Sequence, residues 1–268
     1  TDPAVVKNYQ AGIGPTFEKI DKLPFWTEEI LVSRVSELKR LGAERVCFKT
    51  GPFDPRDLTK IIQIAIKAEV DLITFDGAGG GSGHSPAKMM NEWGIPTLEL
   101  ESILYNILCQ LRHQGHRLPQ VAIAGGFVME DQVFKGLALG APYVNLVAIG
   151  RGAMAAALVG KQVGNLIKKG VVPKHFQRFG ATFEEIFAGV RDLKGIYGGK
   201  AGEFPPGAVG VYSYLSRVAK GLKEFMALNR KFSLAHIERS DLIPLTTAAA
   251  CVTGLPTAAE IAAELVGY

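Results

Sequence analysis

Only three cysteines occur in 268 residues, and Cys47, Cys109 and Cys251 stand far apart with no Cys-x-x-Cys pair. That spacing speaks against a disulfide framework, and against a metal or iron–sulfur centre held by this chain alone. It agrees with a reduced, cytoplasmic setting. The net charge of +4 is scattered along the chain, without a basic run. Nucleic acid and anionic membrane surfaces therefore lack an electrostatic footprint. The first residues do not read as a signal peptide. The longest apolar stretch, around Gly152 to Ile167, is interrupted by Lys161 and Gln162, and is too short to span a bilayer. His113 and His116 have a metal-pair spacing but lie between Arg112 and Arg117 with no nearby carboxylate, which reads as a solvated helix end.

What is present is ordinary for a soluble globular domain, with 47% apolar and 21% charged residues, except for a high count of 31 glycines. Four β-rich runs each end at or beside a glycine: Val46 to Gly51, Asp71 to Gly77, Gln120 to Gly126 and Tyr143 to Arg151. They are mostly continuously apolar, which predicts strands covered on both faces. Helical spacing fills the intervals, over Thr27 to Leu41 (with Thr27 as N-cap), Asp57 to Ala68, Leu98 to Gln114 and Glu130 to Leu139. Strand alternating with helix predicts βαβ units and a parallel sheet.

Two α/β architectures satisfy that pattern, an open doubly wound sheet and a (β/α)8 barrel. A complete barrel needs about 250 residues, whereas here the fourth unit ends near Gly152 and the remainder reads as mainly helical. Four strands cannot close a barrel, and an open half leaves two sheet edges. The chain opens on Thr1 rather than methionine, as expected of a processed chain, a fragment or an incompletely numbered one.

The segment Phe75-Asp-Gly-Ala-Gly-Gly-Gly-Ser-Gly-His-Ser-Pro86, followed by Trp93-Gly-Ile-Pro-Thr97, decides between them. It resembles the FMN-binding domain of the glutamate synthase family, whose loop after barrel strand six carries a similar Asp-Gly-Ala run and a following Trp-Gly-Leu-Pro turn. Phe48-Lys49, Gly125-Gly-Phe127 and Ile149-Gly-Arg-Gly-Ala153 are similar to that family's motifs on strands five, seven and eight. Phe225 to Leu242 resembles its helix ending in an Arg-x-Asp-Leu turn. The resemblance runs from about Trp26 to Leu245. It implies a TIM-type (β/α)8 barrel of which this chain supplies roughly strands 5–8 plus a helical C-terminal extension. The implied organisation is a connecting segment at 1–26 that contacts the flavin site, the C-terminal half of the barrel at 27–170, and the extension at 171–268. The barrel's N-terminal half then lies in another segment or a partner chain, and an oligomer is expected.

The resemblance also implies FMN as cofactor. Flavin barrels commonly seat the phosphate at the loops after strands seven and eight, where glycines let amide N–H groups reach the anion. Gly125, Gly126, Gly150, Arg151 and Gly152 occupy those loops, and Arg151 adds a charged donor. A Gly-Gly pair after a strand can also simply turn the chain. Lys49 either points into solvent from a strand end or faces the barrel mouth beside the isoalloxazine N1/O2 edge. There its charge would stabilise a reduced flavin; the family position favours the second. Asp76, Gly80, Gly81, Ser82 and Gly83 match the family's flavin and substrate loop. Gln10 is a looser match to a flavin-contact loop.

Two departures bear on the reaction. Gly79 stands where the family usually has an acidic residue, and His84 where it has a small one, so His84 is either a candidate proton donor or an ordinary polar loop residue. The stretch after strand eight, Met154 to Lys169, contains no cysteine where full glutamate synthases carry a cluster, and Cys251 lies too far along the chain to substitute. The expected activity is an FMN-dependent oxidoreductase acting on a small amino or imino acid or a 2-oxo acid. The alternatives are an amino-acid N-methyl-transfer relative of the N-methylglutamate synthase type, and a non-catalytic half-barrel scaffold.

Overall fold

The structure, a computed structural model, describes residues 3–11, 27–80, 88 and 92–266. The chain divides into two compact units, Thr1–Gly126 and Phe127–Tyr268. Among the described residues no single helix is long and apolar enough to cross a membrane.

In the first unit, α1 (Pro3–Gln10) precedes the alternating segment α2 (Glu28–Arg40), β1 (Cys47–Thr50), α3 (Pro55–Lys67), β2 (Leu72–Asp76), α4 (Thr97–His113) and β3 (Gln120–Ala124). Local chemistry sets the helix starts. Thr27 Oγ1 accepts from the Ile30 N–H, and Asp54 accepts from the Arg56 N–H with Pro55 at the first helical position, where its missing N–H costs nothing. β1, β2 and β3 pair in parallel, with Lys49 opposite Thr74 and Phe75 opposite Ile123. Asp71 Oδ2 locks the strand entrance by accepting from the Val46 N–H at 2.8 Å.

The apolar face of α3 (Leu58, Ile62, Ala65) and three leucines of α4 (Leu100, Leu104, Leu108) are fully buried, as are Ile73 and Phe75 of β2 and Ile123 of β3. Each such leucine contributes about 1.5–3 kcal/mol relative to exposure. β3 has four successive buried residues, Val121 to Ala124, which is the two-sided covering its apolar run predicts. β1 departs from that expectation, since Cys47 and Lys49 are exposed on one face. Alternate residues of a strand point to opposite faces, so the Cys47/Lys49 face of β1 is exposed while Phe48 and Thr50 on the other are half-buried.

The second unit begins with α5 (Glu130–Gly140), β4 (Val144–Ala148) and α6 (Arg151–Lys168). It continues through α7 (Phe183–Ile186), α8 (Gly189–Tyr197), α9 (Pro206–Leu228), α10 (Thr247–Thr253) and α11 (Ala258–Val266), so the part after Gly152 is helical as predicted. Like β1, β4 is incompletely covered, with Asn145, Leu146 and Ala148 exposed.

The 23-residue α9 organises this unit. It packs along α6 and α5, and its crossing with α6 is glycine on glycine, because a Cβ on Gly160 would lie 2.9 Å from Gly210 Cα. Val133, Phe134, Leu137 and Ala138 of α5 meet Val218 and Met226 of α9 in one core. Val163 of α6 joins Val190 and Leu193 of α8 and Val209 of α9 in another, onto which Phe176 and Phe204 pack. The Arg239 guanidinium donates to the Leu139 and Thr253 carbonyls, tying the ends of α5 and α10 together.

Candidate functional site

The carboxyl ends of β1, β2 and β3 are laced together by one short segment, 93–97. Ile95 N–H donates to Pro52 O at 3.1 Å, Ala78 N–H donates to Ile95 O at 2.8 Å, and Gly77 N–H donates to Ala124 O at 2.8 Å. Thr97 Oγ1 completes the clip by donating to Gly125 O at 2.7 Å. Trp93 packs edge-on against Phe53, with ring centroids 5.4 Å apart. Two glycines are obligatory here. Gly94 has φ +103° and a Cβ on it would fall 2.2 Å from Pro52 Cγ; Gly125 has φ +113° and a Cβ would fall 2.6 Å from Thr97 Oγ1. Any other residue meets both a left-handed backbone and an occupied space.

Inside this clip stands an ion pair. Lys49, third residue of β1, reaches Oδ2 of Asp76, last residue of β2. Asp76 is 4% exposed, and beyond this ion pair its Oδ2 has no hydrogen-bond partner among the described residues. The turn that follows is shaped around the carboxylate, since a Cβ on Gly80 would lie 1.7 Å from Asp76 Oδ1 and the Gly80 N–H donates to Gly77 O. The lysine side chain is 51% exposed. Its ammonium is thus paired at the strand end while much of the side chain meets solvent.

The second unit carries the other glycine turn. Gly150 is the N-cap of α6 and no side chain caps that helix. A Cβ on Gly150 meets nothing within 4 Å, and Arg151 at the first helical position is exposed. An uncapped helix start leaves backbone donors and a positive dipole end for an anion. Tyr214 of α9 bears directly on this turn, for a Cβ on Gly152 would lie 2.8 Å from its Oη.

With this geometry in hand, comparison with known proteins is informative. The family model described as "Conserved region in glutamate synthase" matches residues 23–161, more than half of the chain. The chain belongs to the glutamate synthase family. The archaeal-type glutamate synthase [NADPH] of Dehalococcoides mccartyi is 36% identical over 128 residues, covering 46% of this chain and 25% of that protein. The archaeal glutamate synthase [NADPH] of Archaeoglobus fulgidus is 36% identical over 92 residues, 34% of this chain and 17% of that protein. A glutamate synthase large subunit-like protein of Rhizobium meliloti is 31% identical over 137 residues, 50% of this chain and 29% of that protein. The chain therefore aligns with less than a third of each of these relatives.

Membership in the glutamate synthase family accounts for the motifs at 75–97, and the structure brings Lys49, Asp76, Gly80 and Gly125 together within one unit. Gly126, with φ +84°, follows in open space. Gln10 is exposed at the end of α1. Gly81, Ser82, Gly83 and His84 lie outside the described residues. Gly79, where the family usually has an acid, has φ +80° with open space around it, so an acidic side chain there would have room but a strained backbone. Two positions not expected as site residues are Thr97, whose only signal was its place in the Trp-Gly-Ile-Pro-Thr motif, and Tyr214, which had none.

Proposed function

We propose that this chain is the C-terminal half of an FMN-binding (β/α)8 barrel in an oxidoreductase of glutamate synthase type. The observation that carries the proposal is the Lys49–Asp76 pair at the strand ends, inside a clip built from the family's own motif residues. Each unit taken by itself carries features that suit a flavin: the first a half-exposed cation at a strand end, the second a helix start at Gly150 that no side chain caps, followed by the exposed Arg151. Bound FMN would supply the two-electron chemistry, and the protein supplies binding and electrostatics. Lys49 would hold positive charge beside the ring, and the glycine turns and Arg151 would take the phosphate. Gly80 to Gly83 would form the ring and substrate loop, with His84 holding a proton for a small amino, imino or 2-oxo acid and Gln10 contacting the flavin. An N-methyl-transfer relative and a flavin-free scaffold are the alternatives that substrate screening and cofactor content separate.

The exposed faces of β1 and β4, together with Met154 and Leu158 of α6 at 58% and 62% exposure, favour a partner segment that completes the barrel. Half a barrel leaves inward residues and outer helix faces bare. The test is the flavin midpoint potential of the full-length protein and its Lys49→Met variant. The reading expects a lower potential in the variant, since a lost cation destabilises the reduced anionic flavin. Equal potentials would contradict the role given to Lys49.

A further inference from the structure

We propose that Tyr214, on the helical extension, is a positioning residue for the phosphate turn. This rests on the flavin reading above and names a residue that neither the motif nor the family match covers, since the matched region ends at 161.

Tyr214 lies mid-way along α9 and its Oη donates to Val128 O at 2.6 Å. Val128 is two residues past Gly126 in the chain and opens the approach to α5, where Gln132 Oε1 accepts from the Val128 and Met129 N–H groups at 2.8 and 2.9 Å. The same hydroxyl is the nearest atom to the space a Cβ on Gly152 would fill, at 2.8 Å, with Ile149 Cγ2 next at 3.3 Å. One phenol thus bonds the backbone two residues past Gly126 and occupies the space beside Gly152 that a side chain there would need. Both positions lie in stretches whose amides must hold still to bind an anion. Glycine at 152 is what lets the ring come this close.

The helix that presents Tyr214 is itself fixed. Gly160 and Gly210 touch at its crossing with α6, and Gly221 leaves space that the Glu130 side chain fills, since a Cβ there would lie 2.5 Å from Glu130 Cγ. Burial pushes the Tyr214 phenol up from its ordinary value, and the Glu130 carboxylate pushes it further. The hydroxyl therefore stays protonated, and remains a donor, throughout the working pH range. A hydroxyl used only to fill a core would not need a backbone acceptor at Val128 and a glycine at 152 to leave it room.

The experiment compares the affinity of the apo full-length protein for FMN and for riboflavin, which is the same ring system without the phosphate. Tyr214→Phe keeps the ring and its packing but removes the donor. The expected result is FMN binding weakened about three- to tenfold, the scale of one lost hydrogen bond, with riboflavin binding unchanged. Gly152→Ala is expected to lose FMN selectively as well, and part of that loss should return in the Gly152→Ala/Tyr214→Phe double variant, where the oxygen that meets the new methyl is gone. If Tyr214→Phe weakens both ligands equally, or neither, Tyr214 does not act through the phosphate turn and the inference fails while the flavin reading stands. A wild type that binds FMN no better than riboflavin, or binds neither, overturns the phosphate reading and this inference with it.

Discussion

Lys49 Nζ is ion-paired with Asp76 Oδ2 across neighbouring strands, the lysine side chain half-exposed and the carboxylate 5% exposed. The pair is asymmetric. The carboxylate depends on the lysine, whereas the lysine keeps a solvated side that remains free to meet another anion or an electron-rich ring.

That asymmetry predicts unequal costs. Lys49→Met leaves a carboxylate among strand ends without its counter-charge. Buried pairs cost about 3–5 kcal/mol when broken this way and exposed ones about 0–1 kcal/mol; the half-exposed lysine puts the expectation at about 1–3 kcal/mol. Asp76→Asn keeps the shape against Gly80 and should cost less. Urea unfolding of the two variants compares them directly, and a larger loss for Asp76→Asn would contradict the asymmetry.

The two glycines of the 125–126 turn separate space from backbone. Gly125→Ala meets both a left-handed φ and Thr97 Oγ1, and an expected loss of about 2–4 kcal/mol follows from adding backbone strain to overpacking. Gly126→Ala has the positive φ but open space, so about 1–2 kcal/mol is expected. Thermal or urea unfolding would show this ordering.

The strands and first helices were legible because apolar runs ending in glycine, and a cap such as Thr27, are local signals. So was the parallel pairing, which follows from strand alternating with helix. The Lys49–Asp76 pair was not legible. It depends on a register that sets Lys49 opposite Thr74, and no single run specifies the register of its neighbour. Thr97 joins Gly125 across 28 positions and Tyr214 joins Val128 across 86, so both contacts exist only once helices have packed. The uncovered faces of β1 and β4 also escaped the composition, because Cys47, Leu146 and Ala148 are residue types that read as core.

Acid should loosen the start of α3. The Arg56 guanidinium, bonded to Asp54, and then the Arg56 backbone N–H hold the Asp54 carboxyl down at about 2. A carboxyl depressed in the folded state adds stability that is fully present above its unfolded value of about 3.9. That stability is lost as pH falls from there towards about 2. Asp54→Asn preserves a cap-forming side chain but removes the titration. The wild type is therefore expected to lose melting temperature more steeply than Asp54→Asn between about pH 4 and pH 2.

The exposed row on α6 tests the completed barrel. If Leu158 packs against the rest of the barrel in the full-length protein, Leu158→Asp should cost several kcal/mol, as charges forced into contacts do. If that face remains in water, the change should stay within about 0.5 kcal/mol. Chemical denaturation of the full-length protein distinguishes these outcomes.

The most direct measurement is the visible absorption spectrum of the purified full-length protein, followed by acid release of its chromophore and determination of the released mass. The account predicts a yellow protein, bleached by dithionite, that releases FMN in stoichiometric amount. A colourless protein that takes up no added FMN would contradict it, and would leave a family member whose barrel mouth serves some purpose other than redox chemistry.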